Sequence, residues 1–252
     1  DHRDLHRLIR RQRQMCIRDR NHIWYTVFLL LTVIIISWVT GVFLGVLCSL
    51  FEKSSVSKAL MWVNTTLYPL PYAVFALVLY LLFSITLRIY FGLGATGGVK
   101  PSLSLEFISA AISRAWLPAL SIIVLWQASW YLSTHLLTLT VKRENYYMYA
   151  VVRGLPPRTL FSRYLLRNVM LPQITALALS LGNIFSGAVA TEYIFAYPGL
   201  GMLFLMALQR ADYNLILGLA AFSITGIAMA AFILDVIYPL IDPRIRTGFA
   251  GR

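Results

Sequence analysis

Residues 23–51 read IWYTVFLLLTVIIISWVTGVFLGVLCSLF, with no charged side chain among them. A helix of that length and apolarity crosses about 30 Å of hydrocarbon with some tilt. Trp24 and Tyr25 stand at one end, where amphipathic rings settle at a lipid–water boundary. Gly41 and Gly45 are four apart, the spacing of small residues that lets a second helix approach closely. The rest of the chain has the same character: it is 59% hydrophobic and 13% charged, with a mean hydropathy of +0.71. These values describe an all-α integral membrane protein, well outside the range of a soluble domain.

Four more apolar segments follow. Residues 59–87 contain Pro69 and Pro71, which kink or break a helix. Residues 116–141 carry Gln127 and His135 as polar members, and His135 lies close enough to Lys142 to read as a satisfied histidine near the interface. Residues 172–195 carry Gly182, Gly187 and several alanines and serines, the surface of a closely packed bundle helix, with Glu192 near the end. Residues 215–241 make the fifth segment and hold Asp235. Glu192 and Asp235 are costly in lipid unless they face protein or water, so they are expected either to meet substrate or to pair within the bundle.

The net charge of +12 sits mostly in the short loops, which sets orientation and excludes nucleic-acid binding as the reason for it. Counted by alternate loops, eleven Lys and Arg fall on the side of residues 142–171 and four on the other. The central loop and the C-terminus are therefore expected to be cytoplasmic. Five segments then place the N-terminus outside, although residues 1–20 carry seven arginines. Either this basic arm is foreign to the domain or a transmembrane segment precedes it. The domain itself is assigned to residues 21–246, with 247–252 as a tail. Cys16 and Cys48 are too few and too scattered for a metal site or a disulfide framework.

Residues 142–171 are the longest polar interruption. A short helix is expected over residues 144–153, ended by Gly154 in a left-handed conformation. Pro156 and Pro157 then start a second helix to residue 170. On it Phe161, Tyr164, Leu165 and Val169 form one apolar stripe, while Arg163 and Arg167 share a neighbouring face. Such a pair either lies in the lipid interface or inserts into a groove on a partner, and a plain basic loop that only sets topology is the bland alternative.

The order Tyr147, Ala150, Arg153-Gly154-Leu155, Arg167-Asn168, Leu171-Pro172 resembles the cytoplasmic loop of binding-protein-dependent ABC importer permeases. Met148 occupies the position of that loop's usual Glu, and the Leu-Pro comes late; both features are similar to the dipeptide, oligopeptide and nickel branch. Further along, Gly182, Gly187-Ala188-Val189, Glu192-x-x-Phe195, Pro198-Gly199-Leu200-Gly201, Arg210-x-Asp212-Tyr213, Asp235 and Asp242-Pro243-Arg244-Ile245-Arg246 resemble the B-type subunit of that branch.

The resemblance implies a six-helix permease fold, of which this chain shows five helices and apparently lacks the first, in a prokaryotic inner membrane. It implies a heterodimer with a C-type permease, cytoplasmic ATPase subunits on the central loop, and an extracytoplasmic solute-binding protein. In the loop it points to Tyr147, Ala150, Arg153, Gly154, Leu155, Phe161, Arg163, Tyr164 and Arg167 as the docking residues. With no GxxxxGK[ST] stretch the chain is expected to have no nucleotide site of its own, and no catalytic residue, cofactor or metal is assigned. A stand-alone channel or secondary transporter is the rival reading. Peptide, nickel and other solutes are not told apart by any residue here.

Overall fold

The computed structural model describes the backbone of residues 2–89, 105–182 and 188–241, and side chains for 22–89, 115–181, 188–229, 231–232 and 236. Ten α-helices follow one another within these residues: α1 (His2–Leu50), α2 (Ser55–Leu67), α3 (Tyr72–Tyr80), α4 (Leu105–Lys142), α5 (Asn145–Val152), α6 (Pro157–Thr159), α7 (Arg167–Gly182), α8 (Val189–Ile194), α9 (Leu200–Gln209) and α10 (Tyr213–Ile241). Two stretches, Leu81–Thr86 and Leu160–Leu166, widen to π-helix.

Among the described residues, His22–Leu50 and Ala115–Lys142 are long and apolar enough to cross a membrane, and a third span counts if the bent pair Ser55–Leu67 and Tyr72–Thr86 is one crossing. The break in that pair falls at Pro69 and Pro71, as expected. Ser54 begins α2 by accepting a hydrogen bond from the Val56 N–H. The expected fourth segment contains residues outside the described set, as do Gly187, Asp242-Pro243-Arg244-Ile245-Arg246 and most of the loop between α3 and α4. Residues 1–20 and Asp235 have no described side chains.

The chain divides into two compact units. The first draws on residues 1–32, 73–121 and 183–227, the second on residues 33–72, 122–182 and 228–252. In the second, α1 and α4 meet at the two glycines read from the sequence. A Cβ on Gly41 would stand 2.8 Å from the Gln127 carbonyl oxygen, and one on Gly45 would stand 2.8 Å from Thr134 Cβ and 2.9 Å from the Tyr131 carbonyl oxygen. Any side chain there pushes the helices apart, so Gly41 and Gly45 fix the distance of closest approach. Trp38 Nε1 donates to the Gln173 carbonyl and Gln173 Nε2 to Ser133 Oγ, which ties α7 to both helices.

Near the ends of α1 and α4, Ser49 Oγ donates to the Gly45 carbonyl and lies 2.6 Å from His135 Nδ1. Ser49 has one proton, so both bonds are made together only when His135 Nδ1 carries the hydrogen of the second. His135 is buried and stacked on Tyr131, the satisfied histidine the sequence suggested. Lys142 closes the junction by donating to the Ser49 carbonyl and pairing with Glu52.

Candidate functional site

In the second unit, α5 has no polar face. Its sequence, NYYMYAVV, offers Asn145 alone as a polar side chain, so every direction around the helix is apolar. Glu144 is its N-cap. At the other end the Gly154 N–H donates to the Val151 carbonyl and the Leu155 N–H to the Ala150 carbonyl. This pair of bonds is a Schellman motif, and Gly154 takes its left-handed position at φ 71°. A Cβ on Gly154 would meet nothing within 4 Å, so within the chain glycine is favoured there by backbone conformation rather than by space.

Pro156 and Pro157 restart the helix. It runs through α6 and the π-helical stretch directly into α7, with Pro172 inside α7. The expected stop at residue 170 is therefore absent. Proline keeps a helical φ, so the helix passes through Pro172 at the loss of one backbone hydrogen bond.

One side of α5 is packed. Tyr147 and Ala150 are buried with Val46, Leu160, Leu165 and Val169, and Leu155, Phe161 and Tyr164 pack against this cluster half-buried. Phe161 meets Phe43 edge to face, and Tyr164 stacks on Tyr146. Burial, and secondarily the Glu52 carboxylate, push the Tyr147 phenol above its ordinary pKa of 10.0. The nine residues expected to dock thus fall into two sets. Tyr147, Ala150, Leu155, Phe161 and Tyr164 build the support, whereas Arg153, Gly154, Arg163 and Arg167 are exposed.

The other side of α5 is open. Met148 is 56% exposed, Tyr149 71% and Val152 84%. These residues are spaced one and four apart, on the face turned away from Tyr147 and Ala150. No polar-and-apolar stripe marks them in the sequence, where the longer helix after Pro157 carries the more amphipathic pattern. The signal that finds them is the lack of any polar face on α5: a helix apolar all round is covered on all sides when its surroundings are complete.

In the first unit, Glu192 on α8 is wholly buried. Thr26 Oγ1 donates to Glu192 Oε1 at 2.7 Å and the Met202 N–H donates to Oε2 at 3.0 Å. The same Thr26 oxygen accepts from the Leu200 N–H at 2.7 Å, and Tyr197 Oη donates to the Tyr25 carbonyl. Glu192 thus caps the start of α9 from another helix and is bound within the unit. A Cβ on Gly199 would collide with the Glu192 carboxyl group, and one on Gly201 would lie 2.6 Å from Val189 Cα. Among the described residues no three His, Cys, Asp or Glu side chains gather as a metal site.

Residues 41–247 match the family described as binding-protein-dependent transport system inner membrane component. The chain is 29% identical over 220 residues to the di/tripeptide transport system permease protein DppB of Pseudomonas aeruginosa, a match covering 82% of this chain and 66% of that protein. It is 29% identical over 221 residues to the oligopeptide transport system permease protein AppB of Bacillus subtilis, covering 87% and 68%. A shorter match, 38% identical over 108 residues, joins it to the dipeptide transport system permease protein DppB of Escherichia coli, covering 43% and 32%. The matched stretch thus spans about two thirds of the first two relatives and under a third of the last.

Proposed function

The chain belongs to the family of binding-protein-dependent transport system inner membrane components, and from that premise we propose that it is a permease subunit of an ATP-driven importer of short peptides. It forms half of the substrate pathway beside a second, C-type permease. Cytoplasmic ATPase subunits dock on residues 142–171, and a solute-binding protein delivers cargo on the opposite face. Short peptide is the cargo favoured by the names of all three relatives, with nickel as the alternative.

The observation that carries the docking is the bare turn of α5. Met148, Tyr149 and Val152 project from a helix whose other face is locked into a packed cluster, and Arg153, Arg163 and Arg167 stand exposed in the same loop. Exposed aromatic and Met side chains in a loop that also exposes arginines suit a hydrophobic groove with an acidic rim on a protein partner. Tyr147, Ala150, Leu155, Phe161 and Tyr164 hold α5 in place, and Gly154 sets the direction in which the chain leaves it. ATP closes the paired ATPase subunits, the docked loops transmit that movement, and the permease pair exchanges inward for outward access. The driving force is the different affinity of ATP for the two states.

The test is capture of the tagged full chain from its native membranes, alongside Met148→Glu and Val152→Glu. An ATPase and a second permease are expected with the unmodified chain, and the ATPase is expected to be lost with both variants. Retention of the ATPase by both variants assigns the α5 face to the lipid interface instead. Solute uptake by the purified chain in liposomes without any ATPase sinks the importer reading and restores the stand-alone transporter.

A further inference from the structure

The residues from Glu192 to Gly201 take no part in the docking loop, yet they are bound with unusual completeness. Phe195 and Tyr197 are buried, and Tyr197 meets Tyr25 edge to face. Glu192 accepts from Thr26 and from the start of α9, and Thr26 accepts from Leu200. The contacts between this stretch and α1 therefore converge on two side chains, Glu192 and Thr26, with Tyr197 beside them.

An alanine stands where glycine is the relaxed choice after the C-terminal end of α8 and again after that of α9. Ala196 has φ 49° and Ala211 has φ 51°. Each is the left-handed residue of a Schellman motif: Tyr197 N–H bonds the Glu192 carbonyl and Asp212 N–H the Ala207 carbonyl. An alanine held there costs about 1 kcal/mol relative to glycine. At ten residues α9 is about 15 Å long, too short to cross a bilayer, and it packs on α8 as a hairpin. Between this hairpin and α10 lies a groove of about 240 Å³, lined by Val189, Leu200 and Phe204 on one side and Leu219, Ser223 and Ile224 on the other. Among the described residues, α9 borders this groove on one side and is held by hydrogen bonds on the side of Thr26.

We propose that α9 forms a flap hinged at Ala196 and Ala211, that Glu192 is the positioning residue that, together with Thr26, clasps the start of α9, and that the clasp opens in each transport cycle. This rests on the permease reading above. A carboxylate accepting from neutral donors suits such a clasp: releasing it separates no ion pair, and water can replace each donor in turn.

Thr26→Cys and Leu200→Cys are introduced together, with Cys16→Ser and Cys48→Ala, into the full chain assembled with its partners. Leu200 N and Thr26 Oγ1 are 2.7 Å apart, which places the two residues in contact. The parent assembly is first assayed for ATP-driven dipeptide uptake into proteoliposomes. No uptake there counts against the permease reading alone, and the flap is then judged by the labelling below. With uptake present, oxidation to the intramolecular disulfide, mapped by mass spectrometry, is expected to reduce it about tenfold or more, and reduction to restore it. A disulfide that forms and leaves uptake unchanged overturns the flap, and where none forms the labelling below decides.

The labelling uses Leu200→Cys alone, at a position 5% exposed, with a membrane-permeant maleimide. Glu192→Ala and Thr26→Val each remove two buried hydrogen bonds and are each expected to speed its labelling about tenfold or more. Glu192→Gln keeps one acceptor oxygen and is expected to speed it less. Thr26→Val preserves shape, so it separates release of the clasp from general unfolding. Equal rates in all backgrounds overturn the flap.

Discussion

In the central loop, apolar side chains stand in the open on a helix the chain leaves bare on one side, whereas at Glu192 a carboxylate has been taken out of solvent and ringed with donors. The two regions use similar backbone devices. Both contain Schellman motifs, with Gly154 in the loop and Ala196 and Ala211 around α9. They differ in what is left unfinished. A buried carboxylate without hydrogen bonds is prohibitively costly, so the site around Glu192 has to be completed inside the chain. Exposed Met148, Tyr149 and Val152 cost little in the isolated subunit and gain when a partner covers them. Closure marks a region whose partners are internal, whereas the uncovered apolar turn is left open to its surroundings, the face on which the proposed docking rests.

The largest expected effect comes from opening the closed region. Glu192→Leu leaves the Thr26 hydroxyl and the Met202 N–H without their acceptor, a loss of roughly 1–3 kcal/mol for each buried donor. The apparent Tm in detergent should fall accordingly, and a Tm within a degree or two of the parent shows that the donors find water. Next in size is Leu165→Ala, which empties a fully buried position beneath α5 and should lower stability by about 2–5 kcal/mol. Chemical denaturation reads it, and a smaller loss means the support under the loop collapses readily.

The glycine and alanine caps sharpen the comparison in opposite directions. Gly154→Ala should destabilise by about 1 kcal/mol and Gly154→Asn by less, since Asn tolerates a left-handed backbone. If Ala and Asn lower ATPase capture equally while stability barely changes, then Gly154 matters for space at the partner and not for its conformation. Ala196→Gly should be neutral or stabilising by up to about 1 kcal/mol, because relief of the left-handed alanine competes with a floppier unfolded chain. The smallest effect is expected at the Lys142–Glu52 pair, partly exposed at 25% and 44%. Glu52→Gln should cost about 0.2–1 kcal/mol, less at high salt, and a loss above that range shows that the bond from Lys142 to the Ser49 carbonyl depends on the pair.

Much of this was legible in the chain. Residues 23–51 and 116–141 read directly as membrane-crossing helices, because length and apolarity decide the matter before any packing does. Pro69 and Pro71 foretold the break after α2, and Gly154 the end of α5, since both residue types act through their own φ. Gly41 and Gly45 announced a close helix crossing but not its partner. Pro172 was less informative: a helix stop was expected before it, and α7 passes through it.

Composition and periodicity determined by themselves that the chain is a helical membrane protein, where helices break, and which loops carry charge. They depend on single residues and their near neighbours. Which apolar residues of α5 are covered and which are bare was decided only in three dimensions. The answer depends on Val46, Leu160, Leu165 and Val169, which arrive from other helices. The fate of Glu192 was likewise open in the sequence, where a carboxylate in an apolar segment could face cargo, water or the bundle. Thr26, 166 residues away, settles it by donating the hydrogen bond that makes its burial affordable.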